Sequence, residues 1–331
     1  MKPRIHSTPV TIHILLVSAA LLFAQGPLTP PGAPAPTMKT LDEIEARIAI
    51  NSTNTPGDDD SLFKITQPGS YYLTANITGV TGKHGIEIAA SGVTLDLNGF
   101  DLVGVAGMGS FDGVSATVVG LTNIAVVKGS VRNWGDEGVD LGTAGAVNCR
   151  LEGVLARGNA GSGISAGSSS TVTNCLANGN SGNGITVVAT CTVSNCSAET
   201  NAQHGIQAFD TCSVTGCIST ANGFDGIRVQ NFCRVTDNIC SNNGTAGLFS
   251  GIFVNGSHNR IEANHITYLD VTDAGISVIP SGQGNFIIRN YASGSLANNY
   301  ITPFGTSIVG EIVFATSALQ AANNSAFNIS N

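Results

Sequence analysis

A regularly spaced series of nine dipeptides, each a glycine followed by isoleucine or valine, constrains the fold of this 331-residue chain more than any other feature. Successive copies are 28, 25, 25, 21, 21, 21, 25 and 24 residues apart. The glycines are Gly85, Gly113, Gly138, Gly163, Gly184, Gly205, Gly226, Gly251 and Gly275. Between them lie short segments of alternating apolar and polar residues. Strands this short bury an apolar face only if each unit is one turn of a solenoid that stacks on the previous turn.

Equivalent positions of successive units predict which side chains point inward. The residue after each glycine is aliphatic, and so is a second column: Leu151, Val172, Val193, Val214, Val235, Ile261 and Ile287. Three residues further on lies a third column: Cys175, Cys196, Cys217, Asn238, Asn264 and Asn290. Parallel strands that stack in register at about 4.8 Å place like residues against each other, and asparagines can then hydrogen-bond at a corner. The pattern predicts an all-β protein, a single-stranded parallel β-helix of about nine to ten coils.

The first residues resemble an export signal. Lys2 and Arg4 precede an apolar run at residues 14–23, which suits a signal peptide but is too short to span a bilayer. We expect a signal peptide over residues 1–24, cleaved after Ala24, with Ala20 as an alternative site and an uncleaved anchor as the alternative interpretation. No second apolar run of spanning length follows, so no transmembrane segment is expected in the mature chain. The predicted location is therefore secreted or cell-surface.

The rest of the chain divides into four predicted parts. Five prolines make residues 25–37 an extended spacer. Residues 38–82 are expected to hold an N-terminal cap and the first strands, with Leu41, Ile44 and Ile48 on one face of a short capping helix. Residues 83–299 are the β-helix repeats. Residues 300–331 lack the repeat and are interpreted as a terminal coil or cap.

Charge excludes one class of partner. The chain has 14 basic and 22 acidic residues, so its formal net charge is −8, and only 11% of its residues are charged. A protein that tracks phosphates needs a basic patch, and the sequence has none. We therefore expect no nucleic-acid partner.

Several stretches resemble secreted bacterial right-handed parallel β-helix proteins of the pectate-lyase-like superfold. They are HGIEIAASGVTLDLNGFDL, the repeated Gly-Ile units, NRIEANHI and NFIIRNYA, and the resemblance extends over about residues 37 to 310. It implies a right-handed helix, as does the general rule for parallel crossovers. This superfold carries many activities. Two functions follow as hypotheses: an exported glycan-binding or cell-envelope structural protein, and a carbohydrate-active enzyme, either a polysaccharide lyase or an epimerase acting on uronic-acid polymers.

The enzyme groups of this superfold have motifs that this sequence lacks. The full set of polygalacturonase elements is absent. Their Gly-His-Gly element is approached by Lys83-His84-Gly85 and by Gln203-His204-Gly205. The Asp-Pro-His element of mannuronan epimerases and the Arg-x-Pro-x-x-Arg element of pectate lyases do not occur. The non-catalytic hypothesis is therefore placed slightly ahead.

Candidate site residues lie in the columns one before and two after each glycine, which should face outward. In one group Asp112, Asp136, Glu137 and Asp140 lie on adjacent coils, where they could bind calcium or share protons. No other cofactor is indicated.

In the second group His204 and Asp225 should be neighbours, with Arg228 and Gln207 beside them. Here His204, Asp225 and Arg228 are the catalytic candidates, a base oriented by a carboxylate beside a uronate-binding cation, and Gln207 is a substrate-binding candidate. The alternative interpretation of both groups is an ordinary solvated turn. They should lie about 19 Å apart, too far to act on one bond.

The eight cysteines should point inward. They fall in three columns: Cys149, Cys191, Cys212 and Cys233; Cys175, Cys196 and Cys217; and Cys240. Stacked coils hold Cβ atoms further apart than the mean of about 3.8 Å in a disulfide, which favours free buried thiols. Disulfides and a zinc site remain alternatives.

Overall fold

The computed structural model describes residues 46–247, 249–267, 274–293, 300–301 and 308–310, and the structural statements below refer to these residues. All of them except Ala46 belong to one compact unit, Arg47–Asn331. Within the described residues there are thirty-one strands and no helix. In chain order the strands are β1 (Ile48–Ala49), β2 (Ser61–Ile65), β3 (Gly69–Tyr72), β4 (Ile77–Thr78), β5 (His84–Ile88), β6 (Val93–Asp96), β7 (Asp101–Val103), β8 (Val114–Ala116), β9 (Ala125–Arg132), β10 (Val139–Asp140), β11 (Arg150–Arg157), β12 (Ile164–Ala166), β13 (Thr171–Thr173), β14 (Leu176–Asn178), β15 (Ile185–Val187), β16 (Thr192–Ser194), β17 (Ser197–Glu199), β18 (Ile206–Ala208), β19 (Ser213–Thr215), β20 (Ile218–Thr220), β21 (Ile227–Val229), β22 (Arg234–Thr236), β23 (Ile239–Ser241), β24 (Ser250–Val254), β25 (Arg260–Glu262), β26 (His265–Thr267), β27 (Ala274–Val278), β28 (Phe286–Ile288), β29 (Tyr291–Ser293), β30 (Tyr300–Ile301) and β31 (Ile308–Val309).

The strands pair in parallel and form two sheets. The front sheet consists of β2, β5, β8, β10, β12, β15, β18, β21, β24, β27 and β30. The other twenty strands form the back sheet, which contains two rows of ladders joined by the long strands β9 and β11. This is the predicted all-β, right-handed parallel β-helix, with about ten turns.

The predicted inward columns are confirmed by the strand registers. Ile185 lies opposite Ile164 and Ile206, and Val193 lies opposite Val214. All five side chains are fully buried. Since burial of one such aliphatic side chain stabilises a fold by about 1.5–3 kcal/mol, these columns supply the core that no single coil could form.

Asparagine ladders hold the corners together. Thr200 has a positive φ of 51°, and the next residue, Asn201, turns inward. The Oδ1 atom of Asn201 accepts the backbone N–H of Asn180 at 3.1 Å, and its Nδ2 atom donates to the carbonyl of Ala177 at 3.1 Å. One such ladder consists of Asn159, Asn180, Asn201, Asn222 and Asn243. Each member therefore satisfies backbone groups that the turn would otherwise leave buried without a partner.

The repeated glycines are required by close packing between coils. A Cβ atom on Gly184 would lie 2.6 Å from the carbonyl oxygen of Gly205 and 2.7 Å from Nδ2 of Asn201. Similar contacts, to the carbonyl of the next glycine and to an asparagine amide, recur at Gly138, Gly163, Gly205 and Gly226. The Gly-Ile dipeptide thus marks where a coil passes directly over the next one and over the asparagine ladder.

All eight cysteines are buried, as expected, and the structure contains them as free thiols. Their sulfur atoms occupy the position that asparagine holds elsewhere: the backbone N–H of Cys175 donates to Sγ of Cys196 at 3.4 Å, and that of Cys217 donates to Oδ1 of Asn238 at 2.9 Å. Burial raises the pKa of Cys240. Among the described residues no group of three side chains placed to bind one metal ion includes a cysteine.

The predicted capping helix is not supported. Residues 1–45 lie outside the described ranges, and with them the predicted signal peptide, the spacer and the first part of that helix. Its last apolar position, Ile48, belongs to β1 and pairs with Tyr71 in the back sheet. Residues 61–78 already form a complete coil, because β2, β3 and β4 pair with β5, β6 and β7 of the next coil. Most of the predicted terminal segment 300–331 also lies outside the described residues.

No helix long and apolar enough to cross a membrane occurs in the part of the chain that the structure describes.

Candidate functional site

Two columns of polar side chains run along the outer surface of the front sheet, which we call the front face. Their predicted registers are confirmed: Gln207 lies opposite Arg228, which in turn lies opposite Phe253, and Asp140 lies opposite Ser115. Both predicted groups of site residues therefore lie on one face of the protein.

The structure brings His204, Asp225 and Arg228 together. One carboxylate oxygen of Asp225 lies 3.2 Å from Nδ1 of His204 and 3.8 Å from Nη1 of Arg228. That Nη1 atom is 3.5 Å from Nε2 of the histidine. The other carboxylate oxygen accepts the backbone N–H of Ser250 at 2.8 Å. These contacts span three successive coils.

Burial excludes the solvated-turn interpretation for this group. The side chains of His204 and Asp225 are only 9% and 3% exposed, whereas Arg228 keeps 28% of its surface exposed. A solvated turn would leave the carboxylate in water, but here it accepts the backbone N–H of Ser250 and lies beside His204 and Arg228 inside the protein. The group is therefore a buried polar network with one accessible cation.

Gln207 joins this network through Asn183. The Oδ1 atom of Asn183 accepts the backbone N–H of His204 at 3.0 Å, and its Nδ2 atom donates to Oε1 of Gln207 at 2.9 Å. The amide of Gln207 is thereby held on the front face next to Arg228, its register partner.

Aromatic rings cover the network. Phe224 lies edge-to-face against His204 with centroids 5.3 Å apart, and it stacks on Phe249 at 4.4 Å. The guanidinium of Arg228 lies over the ring of Phe253, 5.0 Å from its centroid. Exclusion of water by these rings strengthens the hydrogen bonds and ion pairs beneath them.

The same arrangement occurs a second time on the front face. His84 and Asp112 form a pair with Nδ1 and Oδ2 3.4 Å apart, Phe111 lies edge-to-face against the histidine at 5.0 Å, and the backbone N–H of Glu137 donates to Asp112 at 3.0 Å. In both copies a His-Gly dipeptide is followed one coil later by Phe-Asp-Gly, at residues 111–113 and 224–226. This paired motif is the sequence signal that the column analysis missed.

Hydrogen bonding limits what the histidines can do. The backbone N–H of Asp225 donates to Nδ1 of His204 at 3.2 Å, and that of Asp112 donates to Nδ1 of His84 at 2.9 Å. A backbone group of the next coil therefore occupies Nδ1 of each histidine, and Nε2 of His204 lies 3.5 Å from Nη1 of Arg228. The pair thus links adjacent coils, and the remaining N–H donors of Arg228 are the groups that can reach a ligand.

The acidic candidates line an open pocket of about 390 Å³ beside the first histidine pair. Carboxylate oxygens of Asp112, Asp136 and Glu137 lie within 4.8 Å of one another. Asp140 also lines the pocket, but one of its oxygens accepts the backbone N–H groups of Gly142 and Thr143 at 2.9 and 3.0 Å. The four predicted residues therefore line one pocket, and the carboxylates of Asp112, Asp136 and Glu137 point towards a common centre.

Burial keeps protons in this pocket. It raises the pKa of Asp112 to about 7, and burial together with the neighbouring Asp136 raises the pKa of Glu137 to about 8. Burial also lowers the pKa of His84. Asp112 and Glu137 therefore retain protons near neutral pH, and carboxylate oxygens are the hard ligands that calcium prefers.

The two groups remain separate sites. Four strand pairings lie between the coil of Glu137 and the coil of Asp225. At about 4.8 Å per coil the separation is about 19 Å, as expected from the sequence.

Comparison with known proteins is informative about the fold. Residues 67–231, about half of the chain, match the family model described as "Right handed beta helix region". Among curated proteins, none matches the sequence.

Solved structures show the same architecture at low sequence identity. The A-module of the mannuronan C-5 epimerase AlgE6 of Azotobacter vinelandii is 15% identical with a TM-score of 0.53, over 76% of this chain and 92% of that one. The Dettilon tailspike protein gp208 is 14% identical with a TM-score of 0.50, over 73% of this chain and 60% of that one. Pectate lyase Pel9A is 15% identical with a TM-score of 0.45, over 78% of each chain.

The coils, the registers and the family match together define the class of the molecule. It is a right-handed parallel β-helix repeat protein. At these identities the likeness is one of fold, and the function has to be argued from the front face itself.

Proposed function

We propose that this protein binds a polysaccharide on its front face, with Arg228, Phe253 and Gln207 as the contact residues. The observation that carries the proposal is the accessible guanidinium of Arg228, fixed over Phe253 and beside the buried Asp225. An oriented cation and amide beside an aromatic ring can hydrogen-bond sugar hydroxyls while the ring packs against the apolar face of a sugar. The epimerase and tailspike that share the fold support this proposal only as examples of what such a fold carries.

Charge favours a neutral glycan. The formal charges of Asp225 and Arg228 cancel, the pocket around Asp112 is acidic, and the whole chain carries −8. A polyanion would be repelled unless a divalent cation bridged it to the protein. We therefore expect binding of neutral polysaccharides without additives, and binding of uronate polymers only when calcium is present.

The test is titration of a panel of neutral and uronate polysaccharides into the protein, with and without calcium, followed by calorimetry. A hydrogen bond to a charged group is worth about 1.5–3 kcal/mol, so Arg228→Ala should weaken binding by roughly 10- to 100-fold. The control is Arg234→Ala, which removes an exposed arginine from the back sheet. No binding to any polymer, or equal losses in both variants, would refute the proposal.

Calcium would occupy the pocket of Asp112, Asp136 and Glu137, the three converging carboxylates. A bound cation must displace the retained protons, so we expect binding to strengthen as pH rises above about 7. Calcium should raise the thermal midpoint of the wild type and leave that of Asp112→Asn unchanged. The same shift in both proteins would place the ion elsewhere.

A second candidate function is a polysaccharide lyase or epimerase, favoured by the pairing of His204 with Asp225. Activity would appear as ultraviolet absorbance of unsaturated uronate ends, or as a changed ratio of uronate epimers in nuclear magnetic resonance spectra. Loss of such activity in His204→Ala would assign the base. The second copy of the pair at His84 and Asp112 instead favours a framework role, and inactivity on every polymer tested would agree with that role.

We also propose that the protein acts outside the cytoplasm, at the cell surface or in the medium, on the basis of residues 1–24. N-terminal sequencing of the protein recovered from cells should find a chain that begins at Gln25. An intact Met1 on all recovered protein would exclude processing.

A further inference from the structure

One exposed aromatic residue occupies a position where its conformation is unfavourable. At the corner that follows the front sheet, seven successive coils are each turned by one residue with positive φ: Asn148, Ser169, Thr190, Thr211, Phe232, His258 and Gly284. Small or polar residues suit this left-handed conformation, but a bulky ring does not. Phe232 adopts it with φ 58° and is nevertheless 61% exposed. Strain and exposure together indicate a role other than folding.

Phe232 is fixed in place by a neighbouring ring. It stacks on His258 with centroids 5.2 Å apart and an interplanar angle of 10°. On the next coil is Gly284, where a Cβ atom would lie only 3.0 Å from the His258 ring. One face of Phe232 is therefore covered by His258, and the opposite face points towards the preceding coil, which carries Thr211.

Hydroxyl groups form a ledge below that open face. Ser169, Thr190 and Thr211 are exposed on successive coils, and the Oγ atoms of the first two lie 3.1 Å apart. Beside the ledge, one oxygen of Asp210 accepts both the backbone N–H and the side-chain amide of Asn231 at 3.0 Å. This corner thus combines an aromatic wall with a row of fixed hydrogen-bonding groups.

We propose that this corner is a second subsite for the same glycan, in which a sugar ring stacks on Phe232 and its hydroxyl groups bond to Thr211 and Asp210. This inference rests on the function proposed above. A single exposed ring among hydroxyls is far too small for a stable protein interface, which buries roughly 1,600 Å², but it matches one sugar with an apolar face and a polar rim.

The subsite continues from the front face. Along one coil the outward residues alternate as Arg228, Gln230 and Phe232. Strand β21 ends at Val229 and the chain bends at the corner, so the Cα atoms of Arg228 and Phe232 are separated by less than the roughly 13 Å that four extended residues would span. A ligand of a few sugars that follows this coil around the corner would contact both residues. The ligand direction is therefore along this coil, perpendicular to the stacking direction.

The test compares Phe232→Ala, Phe232→Trp and Phe232→Gly in titrations with the polysaccharide that the wild type binds best. Loss of the ring should weaken binding about tenfold. Phe232→Trp should keep the affinity of the wild type, and the fluorescence of the new tryptophan should change when the polysaccharide is added. Phe232→Gly should also bind about tenfold more weakly than the wild type. Its thermal midpoint should stay equal or rise, because glycine relieves the backbone strain at this position. The control is Ile239→Ala, an equally apolar exposed residue on the back sheet.

The outcomes separate the two proposals. If the wild type binds a glycan and Arg228→Ala weakens it, but Phe232→Ala behaves like the control, this subsite is refuted and the front-face proposal stands. If the wild type binds no glycan, both proposals are refuted. If Phe232→Ala changes the sedimentation of the protein and not glycan binding, the ring contacts a protein partner and the inference is wrong.

Discussion

Replacing one asparagine of the inner ladder should destabilise the protein by several kcal/mol. Asn201 is 1% exposed. Its Oδ1 accepts from the backbone N–H and Nδ2 of Asn180 at 3.1 and 2.9 Å, and its Nδ2 donates to Ala177 at 3.1 Å and to Asn222 at 2.9 Å. Asn201→Leu has nearly the same size but removes all four bonds.

The cost follows from the groups left behind. The backbone N–H of Asn180 loses its acceptor inside the protein, and the carbonyl of Ala177 loses the amide that bonds it. Each buried group without a partner costs about 1–3 kcal/mol, so we expect a loss of about 3–5 kcal/mol from a total stability of about 5–15 kcal/mol. At about 2–4 °C for each kcal/mol, the thermal midpoint should fall by roughly 10 °C.

Thermal unfolding followed by circular dichroism measures this loss. The matched control is Asn178→Leu, since Asn178 faces outward and bonds only to the side chain of Thr200 among the contacts described here. Asn201→Cys should fall between the two, because Cys196 shows that a thiol can accept and donate at such a corner. A midpoint for Asn201→Leu within about 3 °C of the control would show that the ladder does not carry the stability assigned to it.

Three further predictions concern other parts of the framework. Gly184→Ala should cost about 1–3 kcal/mol, because the new methyl group would lie 2.6 Å from a carbonyl oxygen of the next coil; an unchanged thermal midpoint would contradict this crowding. Cys217→Asn extends the asparagine column that begins at Asn238 and should be tolerated, whereas Cys217→Leu should lower the midpoint. Burial raises the pKa of Asp112 from 3.8 to about 7 and of Glu137 from 4.5 to about 8, so the folded protein holds protons that the unfolded chain has already released. Stability should therefore fall as pH rises from about 5 to 8, and Asp112→Asn combined with Glu137→Gln should flatten that dependence in thermal scans at each pH.

Much of the fold was predictable because its columns repeat. Ile185 lies opposite another isoleucine on both neighbouring coils. The spacing of the Gly-Ile dipeptides therefore gives the length of each coil directly. The helix predicted to include Ile48 failed for the opposite reason. A single amphipathic turn carries little information, and pairing of Ile48 with Tyr71 in the back sheet outweighs it.

The site was predictable in its positions but not in its environment. Column analysis brought His204, Asp225 and Arg228 together, since in-register stacking makes them neighbours. It could not show that Phe224 covers the histidine, because that contact depends on how a turn folds over the sheet. The buried network in place of a solvated turn follows from that cover.

By itself, the sequence determined the repeating coil, the inward columns and the two groups of polar residues on one face, because these follow from periodicity alone. Only the tertiary structure decided which polar groups are buried, that a cysteine sulfur accepts the same backbone N–H as an asparagine oxygen, and that Phe232 stacks on His258 yet stays exposed. Those properties depend on the distances between coils and on the packing of turns, and neither is encoded at a fixed spacing along the chain.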